Sequence, residues 1–359
     1  MNLFLFALGL ASLVAGASLL VRGASKLALS LGISPLVVGL TIVAFGTSAP
    51  EVAVSVGAVL EGKTDLAIGN VVGSNIFNVL FILGLSALIA PLAVNVQLIR
   101  QEVPIMIGAS LLLLVLGMDH TLGFGDAALL FGLLIVYTVY LIRQSRRQSA
   151  MAQSEYAEDF SPAPAGAWDS RLLVQLALIV VGLVGLVFGS EWLVKASVNF
   201  AKAMGVSDLV IGLTIVAAGT SLPEVATSIA AALKGERDIA VGNVIGSNTF
   251  NILGCLGLAG LASGTQGLVM PPAVLAFDIW VMLAVALACL PVLITGREIA
   301  RWEGGVFLLY YLCYVAYLVL AAQKHAALEP FSTAMMSFVI PLTVITLIVV
   351  LVRKPRPAA

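Results

Sequence analysis

The sequence predicts an all-α polytopic membrane protein, built as two inverted five-helix repeats plus an eleventh C-terminal span, with the N-terminus outside. Three observations carry this prediction. Of the 359 residues, 60% are hydrophobic and only 10% are charged, whereas a soluble domain carries roughly 25% charged residues. Apolar runs recur along the whole chain, and about 20 such residues in a helix cross a hydrocarbon core of about 30 Å. Finally, the passage GLTIVAFGTSAPEVAVSVGAVLEGKTDLAIGNVVGSNIFN at 39–78 returns at 212–251 as GLTIVAAGTSLPEVATSIAAALKGERDIAVGNVIGSNTFN, with 27 of 40 positions identical at an offset of 173.

The apolar runs place spans near 2–21, 36–60, 66–90, 103–118 and 124–142, then 172–194, 208–233, 239–262, 273–295 and 304–322, and last 332–352. The first run has no basic stretch ahead of it and is followed by Arg22 and Lys26, so it reads as a retained span rather than a cleaved leader. Five spans per unit is an odd number. The second unit therefore enters the membrane upside down relative to the first. The layout is a first repeat at 1–143 with its polar hairpin at 36–90, a linker at 144–170, a second repeat at 171–322 with its hairpin at 208–262, and a final span and tail at 323–359. The linker, rich in Gln, Ser, Ala, Pro and acids, reads as flexible and cytoplasmic.

Charge tests this layout independently. With the N-terminus outside, the inner side receives fourteen of the 18 Lys and Arg residues and the outer side only Lys63, Lys195, Lys202 and Lys324. That is the asymmetry of a chain with its basic loops in the cytoplasm. Without the eleventh span, the terminal Arg353-Lys354-Pro355-Arg356 would lie outside. The layout implies a multi-pass membrane protein with the lipid bilayer as its partner. A net charge of −1 and the absence of a basic stripe give nucleic acid no footing, and no obligate protein partner is evident. Cys255, Cys289 and Cys313 lie in apolar spans without metal-like spacing and are expected to be core residues. No phosphate-binding loop occurs, and Ser48 and Ser221 have no His or Lys near them at membrane depth, so neither an ATP-driven pump nor an enzyme is expected and no cofactor is implied.

The most similar part of the two copies is polar. In Gly46-Thr47-Ser48-Ala49-Pro50-Glu51, proline removes a backbone donor, so a break is expected in mid-span, with loosened carbonyls around Ala44. Such backbone is tolerated at membrane depth only inside protein or against a wet cavity. Glu51 sits at the break, where an unpaired charge costs roughly 2.5–3.5 kcal/mol. Thr47, Glu51 and Ser55 follow at i, i+4, i+8, and Asn70, Ser74 and Asn78 repeat that spacing on the next span. The second copy supplies Ala217, Thr220, Ser221, Glu224 and Ser228, then Asn243, Ser247 and Asn251. Asn70 and Asn243 fit either a ligand or an interhelical hydrogen-bonding role. Ser55 and Ser228 read as supports, and Gly69, Gly73, Gly242 and Gly246 as packing positions.

Two such hairpins packed with opposite polarity would offer only oxygen: two carboxylates, hydroxyls, amides and backbone carbonyls. That set suits hard cations, and Ca²⁺ takes 6–8 oxygens in forgiving geometry. Two carboxylates neutralise one Ca²⁺, and the same cage could hold Na⁺. Shared carboxylates would make the two occupancies exclusive, as an antiporter needs. A proton-coupled variant, with the glutamates carrying H⁺, fits the same residues.

The paired GTSxPE and GNxxGSNxFN passages resemble the two α-repeats of the calcium:cation antiporter superfamily, close to bacterial sodium/calcium exchangers, over residues 1–322. The resemblance implies that ions are held by Thr47, Ser48, Glu51, Ser74 and Asn78, by Thr220, Ser221, Glu224, Ser247 and Asn251, and by backbone oxygens of Ala44 and Ala217. It also implies that spans one and six slide across a rigid remainder. The proton-coupled branch carries Gly-Asn where this chain has Gly46-Thr47 and Gly219-Thr220, which favours Na⁺ as counter-ion. Potassium-requiring relatives carry Asp where Asn251 stands, which argues against a potassium requirement.

Overall fold

The structure, a computed structural model, describes residues 2–155, 169, 171–204 and 217–352. Its long helices are α1 (Asn2–Leu31), α2 (Pro35–Thr47), α3 (Ala49–Leu60), α4 (Thr64–Ile89), α5 (Leu98–Asp119), α6 (Phe124–Glu155), α7 (Leu172–Ala203), α8 (Leu222–Leu233), α9 (Arg237–Ala262), α10 (Val274–Ile294), α11 (Arg301–Ala322) and α12 (Leu328–Val349). Among the described residues nine are long and apolar enough to cross a membrane, and α2 with α3 makes a tenth span. The expected seventh span is described only as a turn at Ala217–Gly219 and as α8; its start at 208–216 lies outside the described residues.

Local chemistry sets the boundaries. α1 runs ten residues past the expected end at 21, because Arg22 and Lys26 end the apolar run without ending the helix. It stops at Gly32, whose φ of +61° gives the left-handed residue that closes helices. Pro35 opens α2, where Ser34 caps Val37 N at 3.2 Å. The break expected at Pro50 is present: α2 and α3 meet at 43°, with Ser48 at the joint.

Two hairpins, α2–α3–α4 and α8–α9, form the centre. Of the most apolar stretch of each helix, 72% of α4 and 89% of α9 is buried, against 6% of α11 and none of α12. Close approach needs small residues: a Cβ at Gly246 of α9 would meet both Cα and O of Leu40 at 2.7 Å. Gly242 and Gly246 thus meet the packing expectation. The equivalent neighbours of Gly69 and Gly73 are residues 209 and 213, outside the described residues.

α1 and α7 pack together outside this centre and run antiparallel, Gly9 against Gly189 and Gly16 against Gly182. Ser12 Oγ donates to Gly185 O, its own counterpart in the other repeat, at 2.7 Å. Equivalent helices with opposite direction are what inverted repeats require. Two short antiparallel ladders tie loops together: β1 (Leu92–Ala93) with β4 (Glu298–Ile299), and β2 (Thr121–Leu122) with β3 (Leu268–Val269). Each ladder joins two loops that the charge layout puts on one side. Arg22 reaches Asp169 with Nε at 3.0 Å and Nη2 at 2.8 Å, pinning the end of the linker to α1.

Candidate functional site

Glu51 and Glu224 each lie in the first turn of the helix that follows a break, α3 and α8, and neither is exposed to any extent. Each is held by the other repeat. Ser48 Oγ donates to Glu224 Oε1 at 2.9 Å, and Ser221 Oγ donates to Glu51 Oε1 at 2.8 Å. A hydrogen bond to a carboxylate is charge-assisted and stronger than a neutral one. The second oxygen of each glutamate, Oε2, has no partner.

The backbone behind each glutamate is also fixed. Asn70 Nδ2 donates to Ser55 Oγ at 3.0 Å and to Glu51 O at 3.3 Å, and Asn243 Nδ2 donates to Ser228 Oγ at 2.9 Å and to Glu224 O at 3.4 Å. Of the two roles open to Asn70 and Asn243, the geometry shows the interhelical one. Cys255 adds a thiol bond to Glu51 O at 3.3 Å.

Ser74 and Asn78 on α4, and Ser247 and Asn251 on α9, are buried. A turn of π-helix begins at Asn78 (Asn78–Leu83) and another at Asn251 (Asn251–Cys255). Such turns widen a helix and recur at functional sites. Seven buried side-chain oxygens of the expected set have no hydrogen-bond partner: Glu51 Oε2, Glu224 Oε2, Ser74 Oγ, Ser247 Oγ, Asn78 Oδ1, Asn251 Oδ1 and Thr220 Oγ1. Buried polar atoms are ordinarily satisfied. A calcium ion takes 6–8 oxygens.

The remaining expected residues are less alike. Thr47 Oγ1 donates to Asn243 Oδ1 at 3.1 Å and to Ala44 O at 3.3 Å, whereas Thr220 Oγ1 is unengaged. The Ala44 carbonyl is not loose: it also accepts from Ser48 N at 3.0 Å. The reason is register. Proline orphans the carbonyl four residues back, which is Gly46 here and Gly219 in the second repeat. Gly219 O is recaptured by Ser190 Oγ of α7 at 2.6 Å; the equivalent of Ser190 in α1 is Ala17. Ala217 lies in the helical turn ahead of the second break.

Sequence reasoning missed Asn75 and Asn248. They stand at equivalent positions in both copies, but the spacing of four that selected Asn70, Ser74 and Asn78 passes over them. Across the pseudo-two-fold axis, Asn75 Nδ2 donates to Asn248 O at 3.1 Å and Asn248 Nδ2 to Asn75 O at 3.2 Å. Their identity in both copies was the available signal.

The family model for sodium/calcium exchanger protein matches residues 1–143 and 174–320. Sodium/calcium exchanger MaX1 of Methanosarcina acetivorans is 35% identical over 346 residues, covering 88% of this chain and 98% of the relative. Inner membrane protein YrbG of Escherichia coli is 38% identical over 225 residues, 61% of this chain and 66% of the relative. The solved structure of the sodium-calcium exchanger NCX_Mj superimposes with a TM-score of 0.74 at 30% identity, over 88% of this chain and 98% of that one. The fold, the duplicated hairpins and these matches agree, and the chain belongs to the sodium/calcium exchanger protein family.

Proposed function

We propose that the chain is a secondary active antiporter that exchanges Ca²⁺ for Na⁺, with the two ions competing for a midplane site centred on Glu51 and Glu224. The observation that carries this reading is the pair of wholly buried glutamates, each held through one oxygen by a serine of the other repeat and leaving the other oxygen free. Two carboxylates match the charge of one Ca²⁺. Ser74, Asn78, Ser247, Asn251 and Thr220 supply the further oxygens, while Thr47, Ser48, Ser221 and the backbone at Ala217 complete the set. Threonine at 47 and 220 supports Na⁺ rather than H⁺ as counter-ion. The site alternates between the two faces as α1 and α7 slide together, a motion suited to helices packed backbone to backbone. The N-terminus lies outside, and the protein works in a bacterial inner membrane.

The test is uptake of radiolabelled calcium into proteoliposomes loaded with Na⁺ and diluted into Na⁺-free buffer, with K⁺-loaded vesicles and an imposed pH gradient as parallel arms. Uptake that requires the Na⁺ gradient is the expected result. Uptake driven by the pH gradient alone would overturn Na⁺ coupling and make the glutamates proton carriers. Glu51→Gln and Glu224→Gln are each expected to abolish uptake while the protein still inserts and purifies intact, and full activity in either would sink the site.

A further inference from the structure

We propose that Asn75 and Asn248 are positioning residues for ion selectivity, a cross-repeat amide clasp that forces Asn78 and Asn251 to present oxygen, never nitrogen, to the bound cation. The proposal rests on the site described above and goes beyond it by assigning two residues outside the expected ligand set.

A side-chain amide has one oxygen that accepts and one nitrogen with two protons to donate, and its orientation is fixed only by its partners. In Asn75 every one of these groups is engaged. One Nδ2 proton goes to Asn248 O at 3.1 Å and the other faces Met282 Sδ at 3.7 Å, which leaves Oδ1 to accept from Asn251 Nδ2 at 3.1 Å. Asn248 mirrors this: Nδ2 reaches Asn75 O at 3.2 Å and Met106 Sδ at 3.5 Å, and Oδ1 accepts from Asn78 Nδ2 at 3.0 Å. All four amides are buried.

The consequence lies in the two outer amides. Asn78 and Asn251 each spend their nitrogen on the clasp, and their Oδ1 atoms have no partner. Turning Asn251 over would set its oxygen against Asn75 Oδ1, with a bond lost and like dipoles opposed in a buried setting. Turning Asn75 over instead would set its own oxygen against Asn248 O. The chain of bonds therefore has one consistent orientation. An amide nitrogen turned toward the cation would remove a ligand and add a repulsive dipole, so the clasp converts two ambivalent side chains into dedicated oxygen donors. Each clasp residue acts across the two-fold: Asn75 through Asn251, and Asn248 through Asn78.

The experiment is a double-mutant cycle on calcium half-saturation and maximal uptake rate in Na⁺-loaded proteoliposomes. Asn75→Leu is expected to raise the half-saturation concentration about tenfold, the size of one lost hydrogen-bonded ligand, with the maximal rate within about twofold. Its effect should vanish in an Asn251→Ala background and persist in full beside Asn78→Ala. Equal additivity with both, or no effect of Asn75→Leu, would overturn the proposal and leave the site intact. If instead Asn251→Ala and Asn78→Ala leave calcium affinity unchanged, it is the site reading that fails, and the clasp's role in selectivity with it. Should Asn75→Leu not insert, Asn248→Leu, its equivalent in the other repeat, is read in its place. Its effect should vanish beside Asn78→Ala and persist in full beside Asn251→Ala, and equal additivity with both would overturn the clasp.

Discussion

Each glutamate of the proposed site is served by a serine that follows the other repeat's break, so one residue's position depends on both halves of the chain. Ser48 and Ser221 donate to Glu224 Oε1 and Glu51 Oε1. A hydrogen bond to a charged group contributes about 1.5–3 kcal/mol, which corresponds to roughly ten- to hundredfold in an equilibrium constant. Ser48→Ala and Ser221→Ala are each expected to weaken calcium half-saturation by at least about tenfold, without the total loss expected on removing a carboxylate. Transport at wild-type affinity in either variant would show that the serine is not holding its glutamate in the working protein. The motif GTSxPE made these residues visible in the sequence, because a carboxylate beside a proline in an apolar span has no bland explanation twice over. That the serine of one motif belongs to the glutamate of the other was not visible, since the pairing spans 170 and 176 residues of chain.

At the level of elements, the two breaks are equivalent in sequence but not in their support. Pro223 leaves Gly219 O without its helical donor, and Ser190 on α7 fills the gap at 2.6 Å. α1 has alanine at the matching place. Ser190→Ala is expected to lower stability by about 1–3 kcal/mol, the cost of a buried acceptor left unmade, read as a lower melting temperature of the detergent-solubilised protein. In a Pro223→Ala background, where an N–H returns to position 223, the same substitution is expected to cost little. An equal loss in both backgrounds would mean that Ser190 stabilises α7 by some other contact. The sequence foretold the break, because proline's missing donor is a local property. It did not foretell the rescue, because Ser190 sits 29 residues upstream on another helix.

For the whole molecule, the ladders β1–β4 and β2–β3 close opposite ends of the helical bundle, and the charge layout assigns the first pair to the cytoplasm and the second to the outside. Cysteines introduced at Asn95 and Thr265, both exposed in loops beside these ladders, are expected to differ: Thr265→Cys should react with a membrane-impermeant maleimide in intact cells, and Asn95→Cys only after lysis. The reverse pattern would invert the topology, and labelling of both from outside would break it. Composition, span periodicity, the 173-residue echo and the charge asymmetry were enough to determine from sequence the all-helical membrane class, the inverted duplication and the residue types gathered at its centre. These are properties of short windows or of one window compared with another, and apolar length, proline and a mid-span carboxylate have the same cost wherever the chain goes. Only the tertiary structure decided which atom meets which: that Asn75 and Asn248 clasp across the axis, that Asn70 and Asn243 brace the glutamate backbones, and that the Ala44 carbonyl is engaged while Gly219 O is recaptured. The physical reason is that a hydrogen bond is set by distance and direction within a few tenths of an ångström, and helices fix those only after they have packed.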